Sequence, residues 1–161
     1  MKPDRELTLH PIGYIVTSQS RPGGGAGWED GEAELEIDPI WAEALEGIEE
    51  FSHIWILWWL DQSPDQRPGA LKVHPEGRQE IPLVGLFATR SPRRPNPVAM
   101  TPVRLLERQG NRLRVAGVDA YPGTPILDIK PYLRRGDLIP DAAMPDWLEK
   151  LWRLHDQERS R

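Results

Sequence analysis

The sequence predicts an all-β protein, a single compact β-barrel of short strands with one short internal helix and a C-terminal helix. Its 17 prolines and 14 glycines are about a fifth of the 161 residues, which disfavours long helices and favours short elements joined by tight turns. Strand-like segments recur at near-regular spacing, as in small barrels. They do not alternate with helices, and the glycine-rich stretch at residues 23–27 does not fit GxGxxG, so a Rossmann fold is not expected.

The first half of the chain contains three strand candidates and the internal helix. Leu7–Thr17 is rich in β-forming residues. Glu32–Asp38 alternates strictly between apolar and acidic residues, which is typical of a strand with one buried face. Asp38 followed by Pro39 indicates a helix start. Ser52–Leu60 is a nearly continuous apolar run, which predicts a strand covered on both faces. The apolar residues with helical spacing after Pro39 are Trp41, Ala44, Leu45 and Ile48.

The second half is predicted to contain weaker strands and the C-terminal helix. The strand candidates are Leu71–His74, Ile81–Ala88, Val98–Glu107, Arg112–Val118 and Ile126–Ile129. Asp146–Gln157 has the spacing of an amphipathic helix, with Trp147, Leu148, Leu151 and Leu154 as its apolar residues. We therefore expect a barrel domain over residues 1–140 and a C-terminal helix and tail over residues 141–161.

Composition excludes several kinds of site. The chain has no cysteine, which removes disulfides, iron–sulfur clusters, thiolate zinc sites and cysteine nucleophiles. Its four histidines lie far apart and none has paired-ligand spacing, so no metal site is expected. The longest apolar run, Ile54–Leu60, is too short to span a bilayer, and residues 1–20 lack the apolar core of a signal peptide. We expect a soluble cytoplasmic protein with no membrane partner.

Charge is distributed unevenly along the chain. The formal net charge is −5, yet Glu29–Glu50 contains acidic residues and no Lys or Arg. Arg67–Arg114 instead contains ten basic residues and only three acidic ones. A chain divided in this way could present a basic face to an anionic polymer. The alternative is two solvated surfaces whose charges offset each other.

The segment Gly85–Met100 predicts a rigid basic loop. Three prolines, Pro92, Pro95 and Pro97, restrict their own backbone and that of the residues before them. Three arginines, Arg90, Arg93 and Arg94, lie on the same loop. Guanidinium groups on a stiff loop can hold a phosphate, a carboxylate or a base in a preset pose. The alternative is a surface turn with solvated arginines.

The segment Val118–Tyr132 contains a turn followed by a polar row. The turn comprises Pro122, Gly123, Thr124 and Pro125, and its exposed backbone groups could bind a purine edge. Asp128, Lys130 and Tyr132 alternate with other residues, so a strand would place them on one face. A buried Asp–Lys pair there could be structural, or it could place a carboxylate and an ammonium in a cleft.

The segment Glu50–Gln62 is rich in tryptophan. His53 lies near the start of the apolar run and is expected to be a core histidine with satisfied hydrogen bonds. Trp55, Trp58 and Trp59 are expected to pack the core, although one of them could line a base-stacking surface. Asp61 and Gln62 end the predicted strand, where polar groups often line the mouth of a pocket.

These segments together resemble the TsaA/TrmO-like (YaeB-like) tRNA methyltransferases over roughly residues 7–140. The motifs that carry the resemblance are Phe51-Ser52-His53-Ile54-Trp55-Ile56, Gly85-Leu86-Phe87-Ala88-Thr89-Arg90-Ser91 with Arg94-Pro95-Asn96-Pro97, and Gly123-Thr124-Pro125-Ile126-Leu127-Asp128-Ile129-Lys130-Pro131-Tyr132. The opening Pro11-Ile12-Gly13-Tyr14-Ile15 also fits. The chain departs from the pattern at Val98-Ala99-Met100 and at Pro122, where aspartate is usual.

The resemblance implies a single barrel that binds S-adenosylmethionine without a Rossmann sheet. It implies a homodimer that methylates N6 of the threonylcarbamoyl-adenosine beside the anticodon of tRNA. The cofactor-binding residues that it implies are Pro22, Gly23, Gly24, Asp61, Gln62, Arg90, Pro122, Gly123, Thr124 and Pro125. Longer members carry a further C-terminal domain that this sequence does not show.

For catalysis we expect Asp128 to accept a hydrogen bond or a proton from N6, with Lys130 and Tyr132 shaping its surroundings. His53 is the second candidate. For RNA binding the expected residues are Arg93, Arg94 and Asn96. Two alternatives stay open: methylation of another RNA or a small molecule, and a non-catalytic module that binds S-adenosylmethionine or RNA.

Overall fold

The computed structural model describes residues 6–18, 31–62 and 70–159. The chain divides into two compact units, Met1–Gln62 with Val98–Tyr132, and Ser63–Pro97 with Leu133–Arg161. The domain boundary at residue 140 stays a prediction, and the compact units change over at other positions, after Gln62, Pro97 and Tyr132.

Most of the regular structure is β-strand. The strands are β1 (Gly13–Ser18), β2 (Glu32–Ile37), β3 (His53–Trp59), β4 (Lys72–Val73), β5 (Val84–Gly85), β6 (Val98–Gln109), β7 (Arg112–Ala116) and β8 (Pro125–Pro131). The α-helices are α1 (Arg134–Asp137) and α2 (Asp146–Arg159). Short 3-10 turns cover Pro39–Leu45, Ile48–Glu50, Pro75–Gly77 and Leu86–Ala88.

Six strands of the first unit close into an antiparallel barrel. Their order is β1–β2–β7–β6–β3–β8, and β8 pairs back with β1. Closure leaves none of these strands at a free edge of the sheet. The predicted all-β barrel is therefore confirmed.

Alternation along the strands decides which side chains fill the barrel. In β3 the buried residues are Ile54, Ile56 and Trp58, while the residues that alternate with them, Trp55, Leu57 and Trp59, are only half-buried. The prediction of a strand covered on both faces was therefore wrong for the outer face. The core of the barrel is completed by residues of the other strands, among them Ile15, Leu35, Ile37, Val103, Leu113, Val115 and Ile126.

A close approach of two strands requires glycine at the start of β1. A Cβ on Gly13 would clash with the backbone oxygen of Glu36 and would lie 2.7 Å from the Cα of Ile37. The strand predicted over Leu7–Thr17 begins only at this glycine. The residues before it lie outside regular structure, although Ile12 N–H donates a hydrogen bond to the backbone oxygen of Ile126.

The internal helix is a 3-10 turn rather than an α-helix. The Asp38 carboxylate caps it by accepting a hydrogen bond from Ile40 N–H at 3.0 Å, as the Asp–Pro start predicts. Its backbone bonds span three residues, as in Trp41 N–H to Asp38 O. Leu45 is its buried residue, so little packing holds it in a longer regular helix.

Arginines of β7 pair with glutamates of β2 across the sheet. Arg112 contacts Glu34 and also Glu36, the latter at 2.7 Å, and Arg114 contacts Glu32 at 3.0 Å. Arg114 also contacts Glu107 of β6 at 3.2 Å. Part of the acidic stretch and part of the basic stretch therefore neutralise each other on the barrel, an arrangement that neither charge hypothesis included.

The second unit joins a two-stranded sheet, β4 with β5, to helix α2. Leu151 of α2 is buried, as are Ile81 and Leu86. Arg78 holds the Glu158 carboxylate through two contacts of 2.8 Å. The predicted helix over Asp146–Gln157 is confirmed and extends to Arg159.

Candidate functional site

The turn at residues 122–124 is fixed to β1 by backbone hydrogen bonds. Gly123 has φ +86°, a conformation that favours glycine. Its N–H donates to the backbone oxygen of Ile15 at 2.7 Å, and Ile15 N–H donates to the backbone oxygen of Thr124 at 3.0 Å. Thr124 is 3% exposed. The predicted turn is thus a rigid part of the barrel.

A second predicted segment meets this turn at the end of β3. Asp61 N–H donates to the backbone oxygen of Trp59 at 3.0 Å, which bends the chain after the strand. The side-chain Nε2 of Gln62 then donates to the backbone oxygen of Pro122 at 2.9 Å. The structure therefore brings together Asp61–Gln62 and the Pro122–Pro125 turn, which lie about sixty residues apart in sequence.

The turn offers acceptors rather than donors. Gly123 N–H is bonded to Ile15, and Thr124 N–H donates to the backbone oxygen of Tyr121 at 3.2 Å. Proline supplies no N–H at positions 122 and 125. The backbone groups of the turn that remain for a ligand are therefore carbonyl oxygens, and those of Pro122 and Thr124 already accept one hydrogen bond each, from Gln62 and Ile15. Asp61, next to Gln62 in the chain, adds a carboxylate to this set. Such a set suits a ligand rich in N–H and O–H donors or in positive charge.

The polar row on β8 exists, but it lies at the surface. The Lys130 ammonium contacts the Asp128 carboxylate at 2.6 Å, with the Lys130 side chain 62% and the Asp128 side chain 43% exposed. The idea of a buried Asp–Lys pair was therefore wrong. Oδ1 of Asp128 also accepts from Ile129 N–H at 2.9 Å. Each carboxylate oxygen still has a lone pair for a further donor.

His53 and Tyr132 lie beside each other on the outside of the barrel. Tyr132 N–H donates to the backbone oxygen of His53 at 3.1 Å, and their ring centroids are 6.4 Å apart. The ring of Trp55 lies 5.9 Å from that of Tyr132. Nδ1 of His53 is 2.9 Å from the Ser52 hydroxyl oxygen. His53 is exposed, so its expected place in the core was wrong.

The basic loop belongs to the second unit. Arg90 and Arg93 are exposed and form no ion pair with the described residues. Arg94 is half-buried, and its Nη1 donates to the backbone oxygens of Thr89 and Ser91, each at 3.2 Å. Asn96 is exposed on the same loop. The internal bonds of Arg94 were not expected from the sequence.

The predicted residues at positions 22–24, metal sites and membrane-spanning helices can be assessed only over the residues that the structure describes. Pro22, Gly23 and Gly24 lie outside the described residues. No group of three or more His, Asp or Glu side chains in residues 6–18, 31–62 and 70–159 is placed to hold a metal ion. In the same ranges, no helix has the length and apolar character needed to cross a membrane.

No sequence pattern indicates that the backbone of Ile15 is part of this candidate site. Ile15 is a buried strand residue whose side chain fills the barrel, and its N–H and carbonyl hold the turn. That contact depends on the pairing of β1 with β8, which are the first and last strands in the sheet order and close the barrel. Local propensity contains no information on such a pairing.

Comparison with known proteins identifies the family. Residues 15–138 match the model of the tRNA-methyltransferase O N-terminal domain. The chain belongs to this family. It is 39% identical over 159 residues to a "Probable S-adenosyl-L-methionine-binding protein" of Pyrococcus abyssi, covering 96% of this chain and 82% of that protein. It is 38% identical over 137 residues to an S-adenosyl-L-methionine-binding protein of Archaeoglobus fulgidus, covering 83% of this chain and 94% of that protein.

A solved structure agrees with the fold of this TrmO-type chain. The crystal structure of TrmO from Pseudomonas aeruginosa superposes with a TM-score of 0.70 at 33% identity. The match covers 90% of this chain and 63% of that chain. The chain therefore spans less than two thirds of the solved relative. The predicted family is confirmed.

Proposed function

We propose that this chain is an S-adenosylmethionine-dependent methyltransferase acting on N6 of threonylcarbamoyl-adenosine beside the anticodon of tRNA. We further propose that it acts in the cytoplasm as a homodimer. The observation that carries the proposal is the junction of Gln62 with the Pro122 carbonyl, at 2.9 Å, in a chain of the TrmO family. The junction places Asp61 and the turn together at one end of the barrel strands.

The residues at this junction fit S-adenosylmethionine. The cofactor carries an adenine amino group, two ribose hydroxyls, an ammonium and a positive sulfonium beside a single carboxylate, so it is rich in donors and its net charge is positive. The junction supplies the Asp61 carboxylate and the remaining lone pairs of the turn's carbonyl oxygens, since those of Pro122 and Thr124 accept one hydrogen bond each and the N–H groups of Gly123 and Thr124 are bonded to the backbone. Pro22, Gly23 and Gly24 are proposed to complete the binding set, as the resemblance implies.

When bound, the cofactor would supply a methyl group on positively charged sulfur: N6 would form its bond to the methyl carbon in line with the carbon–sulfur bond, whose electron pair would stay on the departing sulfur. The protein must then align N6 and receive its proton, and positioning alone can supply a large part of the acceleration. Asp128 is proposed to accept the N6 proton, because its carboxylate is exposed and can accept a further hydrogen bond.

Neighbouring side chains are proposed to support Asp128. Lys130 holds one carboxylate oxygen at 2.6 Å and so limits its rotation. Tyr132 lies two residues further along and contacts the rings of His53 and Trp55. His53 remains the second candidate for the proton acceptor. Arg90 is proposed to hold the cofactor or the modified base, and Arg93, Arg94 and Asn96 are proposed to bind RNA.

The experiment is transfer of labelled methyl from S-adenosylmethionine to bulk tRNA, with cofactor binding measured separately by calorimetry. Label in tRNA is the expected result. If the cofactor binds and tRNA stays unlabelled, the methyl acceptor is another molecule or the chain is a binding module. If the cofactor does not bind, the proposal fails at its first step.

Asp128→Asn tests the assigned proton acceptor. We expect kcat to fall by about 100-fold or more, since the amide cannot accept the proton, with little change in the Kd for S-adenosylmethionine. The matched control is Asp141→Asn, which changes an exposed carboxylate of the second unit. Turnover of Asp128→Asn at the wild-type rate would show that Asp128 is not the acceptor.

A further inference from the structure

The turn that precedes the basic loop exposes a phenylalanine. In the 3-10 turn Leu86–Ala88, Leu86 is 4% exposed and Phe87 is 77% exposed. Single exposed apolar residues are common on proteins, so exposure alone indicates nothing. Phe87 differs because a second group of the same loop lies against its ring.

Arg94 lies over the ring of Phe87. Its guanidinium carbon is 5.9 Å from the ring centroid, within the range of a cation–π contact. The same guanidinium is fixed by its two hydrogen bonds to the backbone oxygens of Thr89 and Ser91. Arg94 therefore backs the ring from within the loop, and the high exposure of Phe87 leaves most of the ring open to solvent.

The backbone beneath the ring is stiff. The Thr89 hydroxyl donates to the backbone oxygen of Leu86 at 2.7 Å and accepts from Ser91 N–H at 3.2 Å. Pro92, Pro95 and Pro97 restrict the chain that follows. The backbone that presents the ring is consequently held in place before any ligand arrives, so little backbone conformational entropy is lost on binding.

The charges around the ring suit a polyanion. Arg90 and Arg93 are exposed and form no ion pair within the part of the chain that the structure describes. The sequence contains no Asp or Glu between Glu80 and Glu107. An open aromatic ring in a segment that contains arginines and no acidic residue is the combination used to bind single-stranded nucleic acid.

We propose that Phe87 is a stacking platform for an unpaired RNA base, with Arg94 as its positioning residue and Arg93 in contact with a flanking phosphate. The inference rests on the proposed function in taking RNA as the substrate, and it names the class of RNA: a single-stranded loop. A paired stem hides the faces of its bases, whereas a loop can splay a base onto an aromatic side chain.

The test measures tRNA binding by fluorescence anisotropy for Phe87→Ala, Phe87→Leu and Phe87→Trp. We expect Phe87→Ala to weaken binding by about 5- to 100-fold, the range measured for loss of one base–aromatic stack. Phe87→Leu keeps an apolar side chain without a π-face and should resemble Phe87→Ala. Phe87→Trp should restore wild-type binding. Leu83→Ala, at another exposed apolar residue of the second unit, is the control and should bind as wild type.

The salt dependence separates stacking from charge. Phe87→Ala should leave the slope of log K against log salt unchanged, whereas Arg93→Ala should reduce its magnitude by about one unit. Arg94→Lys keeps the charge but loses the planar group over the ring, so it should weaken binding and leave the slope unchanged. A slope reduced by about one unit in Arg94→Ala would instead place Arg94 on a phosphate.

Several outcomes overturn the platform. If Phe87→Ala bound tRNA as tightly as the wild type, the platform would be rejected. If Phe87→Leu and Phe87→Trp both bound tRNA as tightly as the wild type, the contact would be a generic apolar one and not base stacking. A change in sedimentation of Phe87→Ala would assign the ring to a protein interface. Wild-type protein that binds tRNA without methylating it, but shows these Phe87 effects, would support the platform and reject the proposed function. Wild-type protein that binds no tRNA rejects both.

Discussion

At the scale of single residues, the candidate cofactor site depends on backbone geometry as much as on side chains. Gly123 supplies the positive φ of the turn, and its N–H is committed to Ile15. Gln62 ties the same turn to the end of β3. The carbonyls that are proposed to meet the cofactor are therefore placed by residues that offer no reactive group.

Gly123→Ala tests this dependence. A Cβ at this position meets only Nε2 of Gln62, at 3.6 Å, so the cost comes from the positive φ rather than from a clash. We expect the free energy of unfolding to fall by about 1 kcal/mol. We also expect a higher Kd for S-adenosylmethionine, measured by calorimetry. Gly110→Ala is the matched control, since Gly110 also has positive φ with nothing within 4 Å of a Cβ. Equal effects of both variants on the Kd would contradict the assignment.

The sequence predicted which residues to consider for the candidate site, but it did not predict their surroundings. Motifs indicated Asp61, Gln62 and the turn, but the bond between Gln62 and Pro122 joins segments far apart in sequence. Asp128 and Lys130 were expected on one face and do contact each other. Alternation along β8 does not show whether that face is covered or open to solvent, so it could not predict that both side chains are exposed. The bonds of Arg94 to its own loop lack any sequence pattern.

At the scale of elements, sequence patterns were informative where one periodicity dominated. The strict alternation of Glu32–Asp38 predicted β2, which ends at Ile37. The segment after Asp38 has helical spacing, but its capping bond and three-residue backbone bonds form a 3-10 turn against the barrel. Its short length leaves too few buried side chains to favour an α-helix.

The ion pairs across β2, β7 and β6 predict a pH dependence of stability. The hydrogen bond from Gln109 and the contact with Arg114 lower the pKa of Glu107 from its ordinary value of 4.5. A carboxyl with a lowered folded-state pKa stabilises the protein above about pH 4.5, and this contribution is lost as pH falls through the lower folded-state value.

Glu107→Gln should therefore lower the Tm slightly at pH 7. Between pH 5 and about pH 3 the Tm of this variant should fall less than that of the wild type, because the variant has no carboxylate at this position whose stabilising contribution could be lost on protonation. Thermal unfolding followed by circular dichroism across this range measures it. Glu43→Gln, at an exposed glutamate for which no ion pair is found among the described residues, is the control. A variant that parallels wild type at every pH would exclude Glu107 as a contributor.

At the scale of the whole molecule, the chain builds two compact units from interleaved segments. Composition and strand spacing predicted the barrel, but the second unit combines residues 63–97 with residues 133–161. Such a combination depends on contacts between distant segments, for example Arg78 with Glu158 and Lys150 Nζ with the backbone oxygen of Glu80 at 2.8 Å. The prediction of one boundary at residue 140 divides the chain into two consecutive segments, so it could not describe a unit that is built from two separate segments.

Leu151→Ala tests the role of α2 in the second unit. Leu151 is buried, and truncating a buried leucine costs about 2–5 kcal/mol. We expect faster amide hydrogen exchange in residues 72–97, with the barrel strands little changed. The neighbouring variant Trp152→Ala, on the exposed side of the helix, should have a small effect. Unchanged exchange in Leu151→Ala would show that α2 does not support the unit.

The proposed function depends above all on which molecule accepts the methyl group. The most direct measurement is transfer of labelled methyl from S-adenosylmethionine to two tRNA pools, one with and one without threonylcarbamoyl-adenosine, followed by mass spectrometry of the nucleosides. We predict label only in the modified pool, on threonylcarbamoyl-adenosine itself. Equal labelling of both pools, or label on another nucleoside, would contradict the claim.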